Sequence, residues 1–272
     1  MTRARAMARV AGAFLRMDFK LATAYPMMLA MTLIQATTAV VIYLFVSRLV
    51  GVEGASVGGD YFTFVVIGII ATQFITAALL GLGTALVRAV QEGRFEMLLI
   101  EPIRWRVLPL AMIQWPILLQ LVICSFVLTV ACLMVADIRV AGLPMAALIL
   151  LLGTLAGIAV SVLAASIRVL AKQGDPVIGL YVIAASILSG VYFPVSALPD
   201  KLELLSYVIP NTYVLNALRQ VLMPGGDALP GGSPWIAVAA LAAFNVVVFP
   251  IAIWLFGRSM EYGRKMGVLA AY

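Results

Sequence analysis

The residue types that most often do chemistry in enzymes are scarce in this sequence of 272 residues. It contains no histidine, the side chain that serves most often as a general base and as a metal ligand. Cys124 and Cys132 fall in a long uncharged run, so we expect small buried apolar residues there rather than disulfide or metal partners. A phosphate-binding loop ends in Gly-Lys-Ser/Thr, and the nearest stretch, 263–267, lacks that spacing and the hydroxyl. No catalytic, cofactor-binding or metal-binding residue is therefore predicted.

Charge is concentrated in one short segment instead. Six of the thirty charged residues lie between Gln91 and Arg106, with long uncharged runs on both sides. If this segment is helical, Phe95, Leu98 and Leu99 share one face, because helical neighbours are three or four residues apart. Glu92 and Glu96 then share another face. We expect a docking surface for a soluble partner, and an ordinary solvated loop is the alternative.

The composition indicates the elements that surround this segment. The chain is 64% hydrophobic and only 11% charged, whereas a soluble domain is about a quarter charged. Six charge-free runs, of 24 to 30 residues each, exceed the roughly 20 residues that a helix needs to cross the hydrocarbon core. The alternation over about ten residues that marks a membrane β-barrel is absent from the sequence. We therefore predict an all-α polytopic membrane protein with six transmembrane helices.

The basic residues predict its orientation. With the N-terminus inside, 14 of the 18 lysines and arginines fall on the inner side, and Arg48, Arg139, Lys201 and Arg219 fall on the outer side. Inner loops of membrane proteins carry such an excess. We expect both termini in the cytosol and a multi-pass protein in a bacterial or archaeal-type cytoplasmic membrane. The positive charge then faces anionic lipid, and no nucleic acid is needed to explain it.

The whole chain, 1–272, is predicted to be a single transmembrane domain. An N-terminal amphipathic helix, 1–22, is expected to lie on the inner membrane surface. The apolar pieces 201–209 and 212–222 are too short to cross, which favours re-entrant helices on the outer side. Gly153 and Gly157 have the spacing of a close helix contact, or are simply common span residues. The predicted spans are about 26–47, 61–87, 107–135, 144–167, 177–191 and 235–257.

The predicted spans contain no charged residue. Proton- and ion-coupled pumps usually keep acids, histidine or arginine at mid-membrane, whereas these spans carry only glutamines, one asparagine and hydroxyls. Coupled transport is therefore disfavoured, and an energy source outside the chain is expected.

Two stretches resemble motifs of ABC exporter permeases of the type-2 class. The first, 92–102, is similar to the family's G-x-x-E-x-L-L-x-x-P segment after span 2. The second begins at Ser189-Gly190 and continues through two proline turns to Arg219, like the family's run after span 5. The order, the spacing and the six-span topology agree across essentially the whole chain.

The resemblance implies an exporter half-transporter. Two copies of a separate cytosolic ATPase would use ATP and Mg, which this chain would not bind, and a second permease subunit would complete a homodimer in the bilayer. The implied ATPase-coupling residues are Glu92, Gly93, Arg94, Phe95, Glu96, Leu98, Leu99, Glu101 and Pro102. The implied outer-gate residues are Tyr192, Phe193, Pro194, Pro199, Pro210, Asn211, Tyr213 and Arg219.

The expected cargo is a hydrophobic or amphiphilic molecule. A passive channel or a scramblase-like module regulated by a cytosolic partner is the alternative function. An intramembrane enzyme is disfavoured, because the spans lack histidine and paired acids.

Overall fold

A computed structural model describes residues 3–50, 61–91, 108–134, 138–171, 175–191, 195, 198–223 and 233–265. Within these ranges the chain is helical and contains no strand, as predicted. A short 3₁₀ turn, Val140–Gly142, precedes one of the long helices. The helices are α1 (Arg3–Ala24), α2 (Pro26–Val50), α3 (Tyr61–Gln91), α4 (Leu108–Met134), α5 (Leu143–Ala171), α6 (Asp175–Leu188), α7 (Asp200–Ser206), α8 (Pro210–Leu222) and α9 (Pro234–Lys265).

Five helices in the described ranges are long and apolar enough to cross a membrane. They are α2, α3, α4, α5 and α9, and their apolar stretches run from 20 to 29 residues. Helices suit such stretches because each backbone amide is bonded within its own segment. The predicted fifth span corresponds to α6, which has 14 residues and is therefore about 21 Å long. The multi-pass membrane class is confirmed, and length identifies five crossings.

The centre of the bundle is formed by α3 and α5. In an 18-residue apolar window of α3, 72% of the residues are buried, and 56% in that of α5, against 17% for α2 and for α4. The most extensive helix pair is α5 with α9, and α3 packs on both α4 and α5. Gly153 and Gly157, whose spacing predicted a close helix contact, both lie where α5 packs closely against a neighbouring helix. A Cβ on Gly153 would lie 2.6 Å from Val214 Cγ2 of α8, and one on Gly157 would lie 3.1 Å from Ala78 Cβ of α3.

The prediction that both cysteines are buried is confirmed for Cys124 and wrong for Cys132. Cys124 is buried, but Cys132 is exposed on the single chain. Both belong to α4, most of whose apolar stretch is not covered by other helices. A charge-free run identifies the helix, but it does not reveal which of its faces has a neighbour.

Helix α1 is a separate element that packs chiefly against α4. The rings of Phe19 and Trp115 meet edge to face, with centroids 6.0 Å apart. Since α1, the end of α3 and the start of α4 line a common cavity, they share one end of the bundle. The start of α3 and all of α8 lie toward the other end.

Candidate functional site

The most completely buried short helix is α8. Proline fits its first turn, where the backbone N–H has no partner within the helix, and Pro210 holds that position after the extended residue Ile209. Ten of its thirteen residues are buried, and they include Asn211, Gln220 and Arg219. It packs between α3, α5 and α9. A helix that is buried on every side and still contains polar residues must satisfy them within the protein.

Arg219 satisfies its guanidinium with backbone carbonyls. Nη1 donates to the Gly190 carbonyl at 2.6 Å, and Nη2 donates to the Val191 carbonyl at 2.8 Å. Nε donates to the Phe64 carbonyl at 3.4 Å, and the guanidinium carbon lies 3.4 Å from the centre of the Phe64 ring. The residue is 2% exposed. One side chain thus joins α8, the turn after α6 and the first turns of α3.

Among the described residues no carboxylate neutralises this buried cation. The positive charge lies instead in the last turn of α8, where a helix carries partial negative charge. Carbonyl dipoles and the negative face of the Phe64 ring add to this stabilisation. Each hydrogen bond that involves a charged group contributes about 1.5–3 kcal/mol, so the set offsets a desolvation cost of several kcal/mol.

Two glycines allow the backbone to approach this arginine. Gly190 has φ 75°, a left-handed conformation that glycine adopts without steric cost. A Cβ on Gly68 would lie 2.6 Å from the Val191 carbonyl oxygen and 2.7 Å from Arg219 Nη2. We call Arg219, Phe64, Gly68, Gly190 and Val191 the Arg219 junction.

Further contacts fix both ends of α8. At its start, Thr212 Oγ1 donates to the Ser206 carbonyl at 2.6 Å, which ties α8 to α7. At its end, the Arg139 backbone N–H donates to the Leu222 carbonyl at 2.8 Å. A Cβ on Gly142 would lie 2.2 Å from the Val221 carbonyl oxygen. Together with the bonds of Arg219, these contacts hold the helix at three points along its length.

The sequence was compared with protein-family models and with curated proteins. The model described as "ABC-2 type transporter" matches residues 11–223, which include α8 and the Arg219 junction. The chain belongs to the ABC-2 type transporter family. It is accordingly an ABC transporter permease, the membrane-embedded component and not the ATPase of such a system.

One relative of this permease is Nodulation protein J of Sinorhizobium fredii (strain NBRC 101917 / NGR234). The two are 33% identical over 73 residues, which is 27% of this chain and 26% of the relative. The chain thus matches about a quarter of that relative's length. The family assignment therefore rests on the longer match of the family model.

The predicted outer-gate residues of this permease differ from one another in burial. Pro199 is exposed just before α7, whereas Pro210 and Asn211 are buried in the first turn of α8. Tyr213 is half-buried, and Arg219 is buried at the junction. Tyr192, Phe193 and Pro194 lie outside the described residues, directly after the Val191 carbonyl that Arg219 binds.

The predicted ATPase-coupling residues, 92–102, also lie outside the described residues. The described chain stops at Gln91, the last residue of α3, and resumes at Leu108, the first residue of α4. The end of α3 and the start of α4, which this segment connects in the sequence, lie at the end of the bundle that α1 shares.

Sequence reasoning missed Phe64, Gly68 and the carbonyls that receive the guanidinium. It counted Arg219 as an outer basic residue and, by resemblance, as an outer-gate residue, whereas the side chain is buried in the helical core. The positive-φ glycine was part of the quoted Ser189-Gly190 motif, so the receiving turn had a signal. Gly68 had none, because its role depends on a residue 151 positions away.

Proposed function

We propose that this permease is the membrane-spanning subunit of an ATP-driven exporter that moves a hydrophobic or amphiphilic cargo outward. The segment 92–102 would dock on a separate cytosolic ATPase, present in two copies, which would bind ATP and Mg. ABC-2 permease domains generally work with a separate ATPase subunit. A second copy of this chain would complete the pathway as a homodimer.

One observation carries the proposal, namely the position of α3. This helix has 31 residues, which gives a length of about 46 Å. Near its start, the Phe64 carbonyl receives a hydrogen bond from Arg219. Its last residue, Gln91, directly precedes the charged segment. A movement of that segment can therefore reach the Arg219 junction through one continuous helix.

The mechanism follows from the contacts at both ends of α3. ATP-driven closure of the two ATPases would draw the two 92–102 segments together. Because most of α3 is packed in the core, it would move with its segment as a stiff element. Its displacement would shift the Phe64 carbonyl and Gly68 relative to Arg219, and so move α8. The segment must contact the ATPase differently in its two nucleotide states, since equal contact would shift no equilibrium.

The remaining membrane topology belongs to the same proposal. We assign six crossings, with α6 and the residues after it as the fifth, and α7 and α8 as outer re-entrant helices. The apolar side chains of Leu180, Ile183 and Ile187 lie along one exposed face of α6. Helix α2 exposes Met31 and Ile34 in the same way. These two faces are the surfaces that we expect a second copy to cover.

The test uses the full chain co-expressed with its partner ATPase and reconstituted in nanodiscs. Glu96→Arg should abolish co-purification of the ATPase or cargo-stimulated ATP hydrolysis. Glu203→Arg, on α7 at the predicted outer side, is the matched control and should leave both unchanged. Normal stimulation by the Glu96 variant would refute the assigned coupling role. Cargo movement that continues without ATP would favour the alternative of a passive channel or scramblase.

A further inference from the structure

A cavity of about 790 Å³ lies at the end of the bundle that α1 shares. It opens between α1, α2, α3 and α4, and apolar side chains form most of its wall. Ligand sites in proteins have volumes of about 300–1,000 Å³. The principal apolar lining residues are Phe14, Leu21, Leu29, Ala85, Met112 and Leu119.

The cavity also has a cationic group. Arg88, one turn before the end of α3, lines it and is exposed. No hydrogen bond or ion pair of Arg88 is found within the part of the chain that the structure describes. Thr84 also lines the cavity, but its hydroxyl already donates within α3, to carbonyls of the preceding turn. Asp18, the acidic lining residue, has an interaction of its own within the protein.

Two aromatic residues indicate the depth of the cavity in the bilayer. Trp115 and Tyr25 line it, and these two residue types concentrate at membrane–water interfaces. Trp115 also contacts Phe19 of α1 edge to face, which fixes α1 over the start of α4. This position would place the apolar wall level with hydrocarbon and Arg88 level with lipid phosphates.

We infer that this cavity binds a membrane glycerophospholipid, with one acyl chain against the apolar wall and the phosphate at Arg88. An apolar cavity of this size is unfavourable to water, which needs polar partners. Guanidinium and phosphate form strong charge-assisted hydrogen bonds. The inference does not depend on export, because the lipid is bound by a single chain and needs no ATPase.

The experiment uses the full chain in phosphatidylcholine nanodiscs that contain one of two photoreactive probes. The first probe is phosphatidylglycerol with a diazirine in one acyl chain, and the second is diacylglycerol with the same chain. After illumination, the labelled peptides are mapped. The phospholipid probe should label the cavity wall, at Met112 and Leu119, about tenfold more than the diacylglycerol probe, since the phosphate adds one charge-assisted contact.

Matched variants make the test specific. Arg88→Gln should remove the difference between the two probes, whereas Arg48→Gln, an exposed arginine at the other end of α2, should preserve it. Ala85→Phe should narrow the cavity and reduce labelling by both probes, whereas Ala243→Phe on the exposed surface of α9 should not. Because Arg88 is exposed, its variant keeps the test valid if the Ala85 variant fails to fold.

Two outcomes would overturn the inference. One is equal labelling of the cavity wall and of exposed residues such as Val246 and Val247, unchanged by the variants, which would indicate ordinary surrounding lipid. The other is cavity labelling that both probes produce equally and that Arg88→Gln does not change. That result would indicate an apolar occupant that is not recognised through phosphate.

Discussion

The two ends of this bundle are built in opposite ways. At one end, α8 is buried on almost every side and held by hydrogen bonds from Arg219, Thr212 and the Arg139 backbone. At the other end, α1 and α2 line an apolar cavity together with α3 and α4, and only 17% of an 18-residue apolar window of α2 is buried. Directional bonds to backbone carbonyls fix one arrangement, whereas apolar contacts around a cavity tolerate several. We therefore call the α8 end the specified end, because its packing has one arrangement, and the α1 end the adaptable end, because its packing allows several.

The largest expected effect is at the centre of the specified end. Arg219→Ala removes the three hydrogen bonds that the guanidinium donates to the Gly190, Val191 and Phe64 carbonyls, and it leaves a space in the core. We expect a loss of about 3–5 kcal/mol in the free energy of unfolding, measured by thermal unfolding of the purified permease. Arg48→Ala, an exposed arginine, is the control. Equal melting temperatures of the Arg219→Ala variant and the unmodified permease would mean that the junction does not stabilise this end.

A second change tests the close approach of the backbone at the junction. In Gly68→Ala the new methyl would meet the Val191 carbonyl oxygen at 2.6 Å. We expect a loss of about 1–3 kcal/mol in the same unfolding assay. Gly12→Ala in α1 is the matched control, because a Cβ there has nothing within 4 Å. This control should leave the free energy of unfolding unchanged or raise it by up to about 1 kcal/mol. A control variant that is less stable than Gly68→Ala would contradict the described packing.

At the adaptable end the expected effect is smaller and local. Phe19→Leu removes the edge-to-face contact with Trp115, and such contacts contribute about 0.5–1.5 kcal/mol. Hydrogen exchange of α1 should become faster while that of α8 stays unchanged, because few contacts couple α1 to the core. A fall in global stability as large as that of Arg219→Ala would erase the contrast between the two ends.

The smallest effect is expected midway between the ends. Gln120 Nε2 donates to Gln73 Oε1 at 3.4 Å, which links α4 to α3. A double-mutant cycle with Gln73→Leu and Gln120→Leu should give a coupling energy of about 0.6 kcal/mol, the average for polar pairs between membrane helices. A coupling energy above about 2 kcal/mol would show that the middle of the bundle is specified as strongly as the α8 end.

Regular patterns in the sequence predicted the general architecture. The charge-free runs predicted an all-helical membrane protein, which the described residues confirm. The motifs predicted the permease family, which the family match confirms. A charge-free run is a weaker guide to helix length, however. Residues 176–199 are uncharged, but α6 ends at Leu188 and the positive-φ Gly190 follows two residues later.

The Arg219 junction was not predictable from local pattern. Its partners lie 28, 29 and 155 residues from Arg219, and all three are backbone carbonyls. A carbonyl carries no signature in the sequence, so the charge count placed Arg219 on the outer side and the resemblance placed it at the outer gate, but neither predicted its partners. The exposure of Cys132 was missed for a related reason, because the position of neighbouring helices decides which face of α4 is covered.

The central claim is that α3 links the 92–102 segment to the Arg219 junction. Hydrogen exchange of the reconstituted permease–ATPase complex tests it most directly, in the nucleotide-free state and in the ATP-bound state. We expect ATP to change protection both at 92–102 and at 189–191 with α8, and Glu96→Arg to abolish both changes. A change confined to 92–102, with α8 identical in the two states, would contradict it.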